Sequence, residues 1–163
     1  MISIIAAIGK NYELGKDNDL IWRIKDDLVN FKKITMGKKV VMGENTYRSL
    51  PKQLEGREYI VLSHKLKNID NGLVFNDFSK LLEYLKNLDD EIMIIGGASI
   101  YKLFLPYAER LYLTEINASA MADVYFPKFD LDKYEIEKEE TKQTGDLKYK
   151  FVIYRRRKWC EVS

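Results

Sequence analysis

The sequence predicts a single α/β domain of the doubly wound kind: a mostly parallel central sheet with an antiparallel C-terminal hairpin and helices on both faces. Three observations predict it. Apolar runs of strand length alternate with segments of helical period from Ile2 to Leu105. Two of those runs, Ile4-Ile5-Ala6-Ala7-Ile8 and Ile92-Met93-Ile94-Ile95, are apolar at every position, as strands buried on both faces are. After Arg110 the pattern changes to alternation, in Leu111, Leu113 and then two stretches joined through Thr144, Gly145 and Asp146, which is the signature of a hairpin.

The elements follow in order. Ile2 to Ile8 reads as the first strand, Asp26 to Thr35 as a helix, Lys39 to Met42 as a strand and Asn45 to Leu50 as a helix. Strands at Tyr59 to Leu62 and Leu73 to Phe75 precede a helix from Phe78 to Leu85 opened by Asp77, whose short carboxylate suits an N-cap. The strand Ile92 to Ile95 leads to a helix from Ser99 to Leu105, stopped by Pro106. The last strands are Leu111 to Ile116, Tyr134 to Glu140 and Leu147 to Arg155. The basic run Arg155 to Lys158 falls at a strand end and reads as solvated sooner than as a nucleic-acid patch. The domain is expected to span residues 1–158, with 159–163 as a tail.

Composition narrows the chemistry. The 163 residues carry 27 Lys and Arg against 25 Asp and Glu, with one His and one Cys. Cys-rich zinc sites, two-His metal helices, Cys-x-x-Cys pairs and intrachain disulfides are excluded, and no metal is expected. A near-neutral balance speaks against nucleic acid as partner. The run Met1 to Ile8 is too short for a membrane span and lacks the pattern of a signal peptide, and a single Cys suits a reducing compartment, so no membrane and a cytoplasmic location are expected. Carboxylates, hydroxyls, backbone amides or a bound cofactor are left to do the work.

In open parallel sheets ligands bind beyond the carboxyl ends of the strands. There, Gly96-Gly97 follows a strand and precedes a helix, which suits a phosphate as well as it suits a plain tight turn. Gly43-Glu44-Asn45-Thr46 repeats the arrangement, and two such mouths on one edge suggest a diphosphate. Helical spacing puts Asp27 on the same face as Phe31 and Ile34, with Leu28 alongside. It is either a first-turn carboxylate favoured by the helix dipole or a charge waiting for a hydrogen-bonding ligand.

These residues belong to a longer set: Ile4-Ile5-Ala6-Ala7, Gly15 with Asn18, Leu20 and Trp22, Asp27-Leu28-x-x-Phe31-Lys32-x-x-Thr35, Met42-Gly43-x-x-Thr46, Gly56-Arg57, Leu62-Ser63, Ile95-Gly96-Gly97, Tyr101, Leu111-Tyr112-Leu113-Thr114 and Asp123-x-x-Phe126-Pro127. In order and spacing the set resembles bacterial dihydrofolate reductases over almost the whole chain. The resemblance implies reduction of dihydrofolate to tetrahydrofolate by hydride from NADPH, binding of antifolate inhibitors and a monomeric state. It implies that Asp27 orients the pterin ring, that Thr114 bonds to Asp27, and that the proton arrives through water near Trp22 under Leu20. Ile5, Ala6, Leu28, Phe31, Leu50, Leu54 and Ile95 match walls and backbone contacts of the substrate pocket, and Arg57 a clamp on its α-carboxylate. By pattern alone the apolar members are core residues, Thr114 a strand Thr and Arg57 a surface Arg.

The segment Gly15 to Leu20 corresponds to a mobile cover over the nicotinamide, and Asp123 to an acid that holds it shut. For NADPH the matching positions are Ala7, Gly15, Asn18, Leu20, Gly43, Glu44, Asn45, Thr46, Ser63, His64, Gly96, Gly97, Ala98, Ser99, Ile100 and Tyr101, with a cis peptide between the two glycines. Four departures stand out. Glu44 lies where relatives place a cation against the ribose 2′-phosphate, and Ser99 where some place an Arg, leaving Ser63, His64, Lys65 and Lys102 for that group. Ile21 replaces a Pro before Trp22, and the tail 159–163 has no counterpart. Two other functions fit less of the set: reduction of another heterocycle, such as a pyrimidine of riboflavin synthesis, and nucleotide binding without turnover.

Overall fold

The computed structural model describes residues 1–17, 19–50 and 55–158. The sequence positions Asn18, Leu54 and the tail 159–163 lie outside the described residues. Eight strands form the main sheet in the order β10-β11-β8-β1-β7-β4-β5-β6, where β1 is Ile2–Ile8, β4 Lys39–Gly43, β5 Glu58–Leu62, β6 Gly72–Phe75, β7 Ile92–Gly96, β8 Arg110–Ile116, β10 Tyr134–Thr144 and β11 Leu147–Arg156. Strands β6, β5, β4, β7, β1 and β8 run parallel, and the hairpin β10-β11 adds antiparallel to β8. The carboxyl ends of six strands therefore share one edge. Strand β7 returns to sit between β1 and β4, and the chain order reverses there.

The continuous apolar runs are explained by the two faces they serve. Successive side chains of a strand point to opposite sides. Ile4 and Ile94 join Leu81 and Leu85 of helix α3 (Phe78–Lys86) and Ile100 and Phe104 of helix α4 (Ala98–Phe104). Ile5, Met93 and Ile95 face the other way, against Phe31 and Ile34 of helix α1 (Lys25–Thr35) and Tyr47 of helix α2 (Glu44–Ser49). Helix α1 has no side-chain N-cap; Asp26 and Asp27 in its first turn and Lys32 and Lys33 in its last complement the helix dipole. The Asp77 cap on α3 is present, accepting from the Ser79 amide at 2.9 Å.

Two features depart from the sequence expectation. A second, three-stranded sheet in the order β3-β2-β9 is built from Glu13–Lys16 (β2), Asp19–Leu20 (β3) and Val124–Tyr125 (β9), pieces too short to carry a period. The basic run at the end of β11 is only partly solvated. The Arg156 guanidinium donates to the carbonyls of Ala108 and Leu105 and to the Tyr134 hydroxyl, at 3.0, 3.1 and 2.8 Å, and so locks the strand end to the turn after α4.

Candidate functional site

Asp27 stands in the first turn of α1, over the carboxyl ends of β1 and β8, where Ala7 pairs with Thr114. The Thr114 hydroxyl, 4% exposed, donates to Asp27 Oδ1 at 2.5 Å. Burial pushes the Asp27 carboxyl up, the Thr114 hydrogen bond pulls it back, and the neighbouring charge of Asp26 adds to the upward push. Asp26 itself accepts from the Tyr149 hydroxyl of β11 at 3.0 Å, which fixes the start of α1 against the sheet.

Below this pair, the Tyr101 hydroxyl of α4 lies 2.8 Å from the Ile5 carbonyl and 2.9 Å from the Ile95 carbonyl. It ties the ends of β1 and β7 from beneath. Burial and the charge of Asp27 hold that phenol above its ordinary range, so it stays neutral and donates. Ile5 and Ile95 share a cluster with Phe31 and Leu50 on the α1 face. Ala6 packs into the opposite cluster with Ile100 and Tyr101, so what it offers this cleft is backbone. Ala7 and Trp22 both pack against the cluster of Ile24, Ile116 and Tyr149. Leu28 and Leu20 are 47% and 55% exposed, open toward solvent on an otherwise packed rim. Arg57 is held at the far end of α1: its guanidinium donates to Thr35 Oγ1 at 3.1 Å, to the Glu55 carbonyl at 2.5 Å and to the Lys32 carbonyl. The turn that looked like a solvated surface is thus a mount for the guanidinium.

The second half of the cleft lies over β7, β4 and β5. Gly96 and Gly97 are joined by a cis peptide, and α4 starts at once after Gly97. A Cβ at Gly96 would lie 3.3 Å from the Tyr101 hydroxyl and one at Gly97 3.7 Å from Thr46 Oγ1, so side chains there would fill the space between the two turns. Gly96 also has φ +128°, a conformation that favours glycine. Gly43 backs onto Ile100, which brings the start of α2 beside the start of α4. Gly97 and Gly43 both lead into their helices without a side-chain cap, leaving first-turn amides to a ligand. Asn45, Ser99 and His64 are exposed on the same rim and Ala98 is half-buried.

Glu44 is the least expected member. It accepts from the Ser63 hydroxyl at 2.5 Å and from Arg48 Nε at 2.9 Å. The Ser63 hydrogen bond, then Arg48, hold the Glu44 carboxyl below its usual range, with a smaller pull from Lys65. Ser63 in turn accepts from the amides of Lys65 and Leu66 at 3.1 and 3.0 Å. The hydroxyl expected to serve a phosphate is already donated to a carboxylate. Arg48, one turn after Glu44, was not singled out by sequence, although an acid and a base four apart on a helix is a readable signal.

The segment expected to cover the nicotinamide lies in the small sheet. Gly15 pairs with Leu20 and with Val124. The Asp123 amide donates to the Gly15 carbonyl at 3.1 Å and Asp123 Oδ2 accepts from the Asp17 amide at 3.0 Å, the bonds that the match of Asp123 led one to look for.

A mostly parallel sheet, its switch point at β7, a glycine-lined cradle and one half-buried carboxylate define an α/β protein of the dinucleotide-binding kind. The chain belongs to the dihydrofolate reductase family, whose profile, described as Dihydrofolate reductase, matches residues 1–156. It is similar to the dihydrofolate reductase of Bacillus subtilis, 36% identical over 162 residues that cover 96% of this chain and 95% of the relative. The dihydrofolate reductase of Haemophilus influenzae is 35% identical over 144 residues, 88% of this chain and 89% of the relative. The dihydrofolate reductase type 3 of Salmonella typhimurium is 41% identical over 130 residues, 79% of this chain and 80% of the relative.

Proposed function

We propose that this chain reduces 7,8-dihydrofolate to 5,6,7,8-tetrahydrofolate with NADPH, and that the residues brought together at the carboxyl edge carry the reaction. It is an oxidoreductase of the dihydrofolate reductase family. The Asp27–Thr114 pair is the observation that carries the assignment of the site. A carboxylate desolvated over two strand ends, with one hydroxyl for partner, has acceptor capacity left for the amino and imino groups of a pterin ring. Nicotinamide supplies the hydride; one proton is taken up with it, so dihydrofolate and NADPH become tetrahydrofolate and NADP⁺.

The protein's part is orientation and polarisation. Asp27 holds the ring and favours its protonated imine, and water beside Trp22 delivers the proton. Ile5, Leu28, Phe31, Leu50 and Ile95, with the backbone of Ala6, wall the ring and the benzoyl group. Arg57, already aimed by three acceptors, presents its fork to the α-carboxylate. The cradle fits the cofactor: Gly96, Gly97, Ala98, Gly43, Asn45 and Thr46 hold the diphosphate, Ser99, Ile100 and Tyr101 back it, and Ala7, Gly15 and Leu20 meet the nicotinamide half. Glu44, Ser63 and His64 stand at the adenosine ribose.

No described helix is long and apolar enough to cross a membrane. A cytoplasmic setting without nucleic-acid or membrane partners is what a single Cys and a near-neutral charge support, while membership of the family supports a monomer spanning 1–158 that is open to antifolates. The test follows NADPH oxidation with dihydrofolate. Turnover by the native protein and a loss of about 100-fold or more in Asp27→Asn are expected. No turnover by the native protein removes the function, and equal rates remove Asp27 from it.

A further inference from the structure

Glu13 was not marked by any motif, yet it is the most enclosed carboxylate of the small sheet, 1% exposed at the start of β2. Its Oε1 accepts from the Asn11 amide at 2.7 Å, and its Oε2 from the Ser119 hydroxyl at 2.6 Å and the Ala120 amide at 2.9 Å. Burial alone would raise this carboxyl; the Ser119 hydroxyl and the surrounding amides outweigh it and hold it at about 2. The same two segments are stitched again by Asn11 Nδ2 to Ser119 Oγ at 2.9 Å and by the Lys10 amide to the Ala118 carbonyl at 2.9 Å.

The carboxylate also touches the site through one glycine. A Cβ at Gly9 would lie 2.5 Å from Glu13 Oε1 and 2.6 Å from Trp22 Cη2. Gly9 therefore lies between the buried charge and the indole, and leaves no room there for a side chain. Trp22 in turn packs against the cluster of Ile24, Ile116 and Tyr149, on which Ala7 at the end of β1 also rests.

We propose that Glu13 is a positioning residue for the reduction: its carboxylate fastens residues 9–17 to residues 117–123 and, through Gly9, sets the Trp22 ring at the mouth of the pterin pocket. This rests on the function proposed above. A buried anion with three donors from two segments is satisfied only when both are docked, because an unpaired carboxylate in that place is strongly disfavoured. Docking of the cover and placement of Trp22 are thereby one event. The Asp123 bonds to Asp17 and Gly15 close the outer end of the cover; Glu13 closes the inner end.

Single-turnover hydride transfer, dihydrofolate binding and thermal midpoints are measured for the native protein, Glu13→Ala, Glu13→Gln and Ser119→Ala. Glu13→Ala is expected to slow hydride transfer about 10-fold with the substrate dissociation constant within about twofold, since a small misplacement acts on the chemical step. Glu13→Gln, which keeps an acceptor for Ser119 and Ala120 but turns its NH2 toward the Asn11 amide, recovers part of the rate. Ser119→Ala, a change at an exposed residue that leaves the fold intact, slows it about threefold. A folded Glu13→Ala protein within twofold of the native hydride-transfer rate, or a loss confined to thermal midpoint or substrate binding, overturns the proposal. If Glu13→Ala does not fold, a native rate in Ser119→Ala overturns it. A native protein without dihydrofolate turnover fails at the earlier step, which the first arm reads separately.

Discussion

The two ends of the cleft each hold a carboxylate, and they are in opposite condition. At the end proposed for the pterin, Asp27 has one hydroxyl partner among the described residues and is pushed up by burial. At the end proposed for the adenosine, Glu44 has a hydroxyl and a guanidinium and is held down. One is short of partners and the other is satisfied before any ligand arrives. Spare acceptor capacity, not charge, distinguishes a carboxylate that binds from one that shapes its surroundings. The strand spacing separates them: Thr114 on β8 and Ser63 after β5 are four strands apart in the sheet, about 19 Å.

The contrast can be broken most strongly at Asp27. Besides the loss of turnover, Asp27→Asn is expected to stabilise the free protein at neutral pH. A carboxyl raised in the folded state binds its proton more tightly there than in the unfolded chain. Its contribution is therefore most favourable below the unfolded value, about 4, and is lost as pH rises through the folded value. The gap in thermal midpoint between Asp27→Asn and native protein should widen from pH 4 to pH 7; a gap independent of pH would mean that Asp27 is not desolvated.

Arg57→Leu comes next. It should raise the dihydrofolate Michaelis constant about 10- to 100-fold, the value of one charge-assisted pair, while single-turnover hydride transfer at saturation changes less than about threefold. A native constant would place the carboxylate clamp elsewhere. Glu44→Arg acts at the satisfied end. It frees the Ser63 hydroxyl and adds a cation, so the ratio of catalytic efficiencies for NADPH over NADH, and NADP⁺ affinity measured by titration, should each rise about 10-fold. Equal or better use of NADH by the native protein would show that Glu44 already decides the cofactor. The smallest change is Thr114→Val. Removing the one hydrogen bond that lowers the Asp27 carboxyl should move the pH dependence of hydride transfer upward and slow the reaction several-fold. An unmoved profile would break the link between the two side chains.

The parallel sheet was legible because Ile4 to Ile8 and Ile92 to Ile95 are apolar at every position, and burial on two faces leaves no other pattern. The Asp77 cap was legible because one side chain and one amide make it. The small sheet was not, because Asp19–Leu20 and Val124–Tyr125 are two residues each, and Val124–Tyr125 owes its pairing to a partner about a hundred residues away. Ala6 illustrates the limit inside a strand. Its identity placed it near the pterin, but only the sheet's facing tells that its side chain points to α4.

The amino acids by themselves determined the doubly wound class, the loop–helix mouths at Gly43 and Gly96-Gly97, and the candidacy of Asp27. Each is a local matter of periodicity, backbone freedom or helical spacing. Only the tertiary structure decided that Arg57 is aimed by Lys32, Thr35 and Glu55, that Ser63 is committed to Glu44, and that Glu13 unites two segments under Trp22. Apart from the local bond of Arg57 to the Glu55 carbonyl, those facts rest on hydrogen bonds between groups distant in sequence, and their geometry exists only after the strands are ordered and the chain has closed on itself.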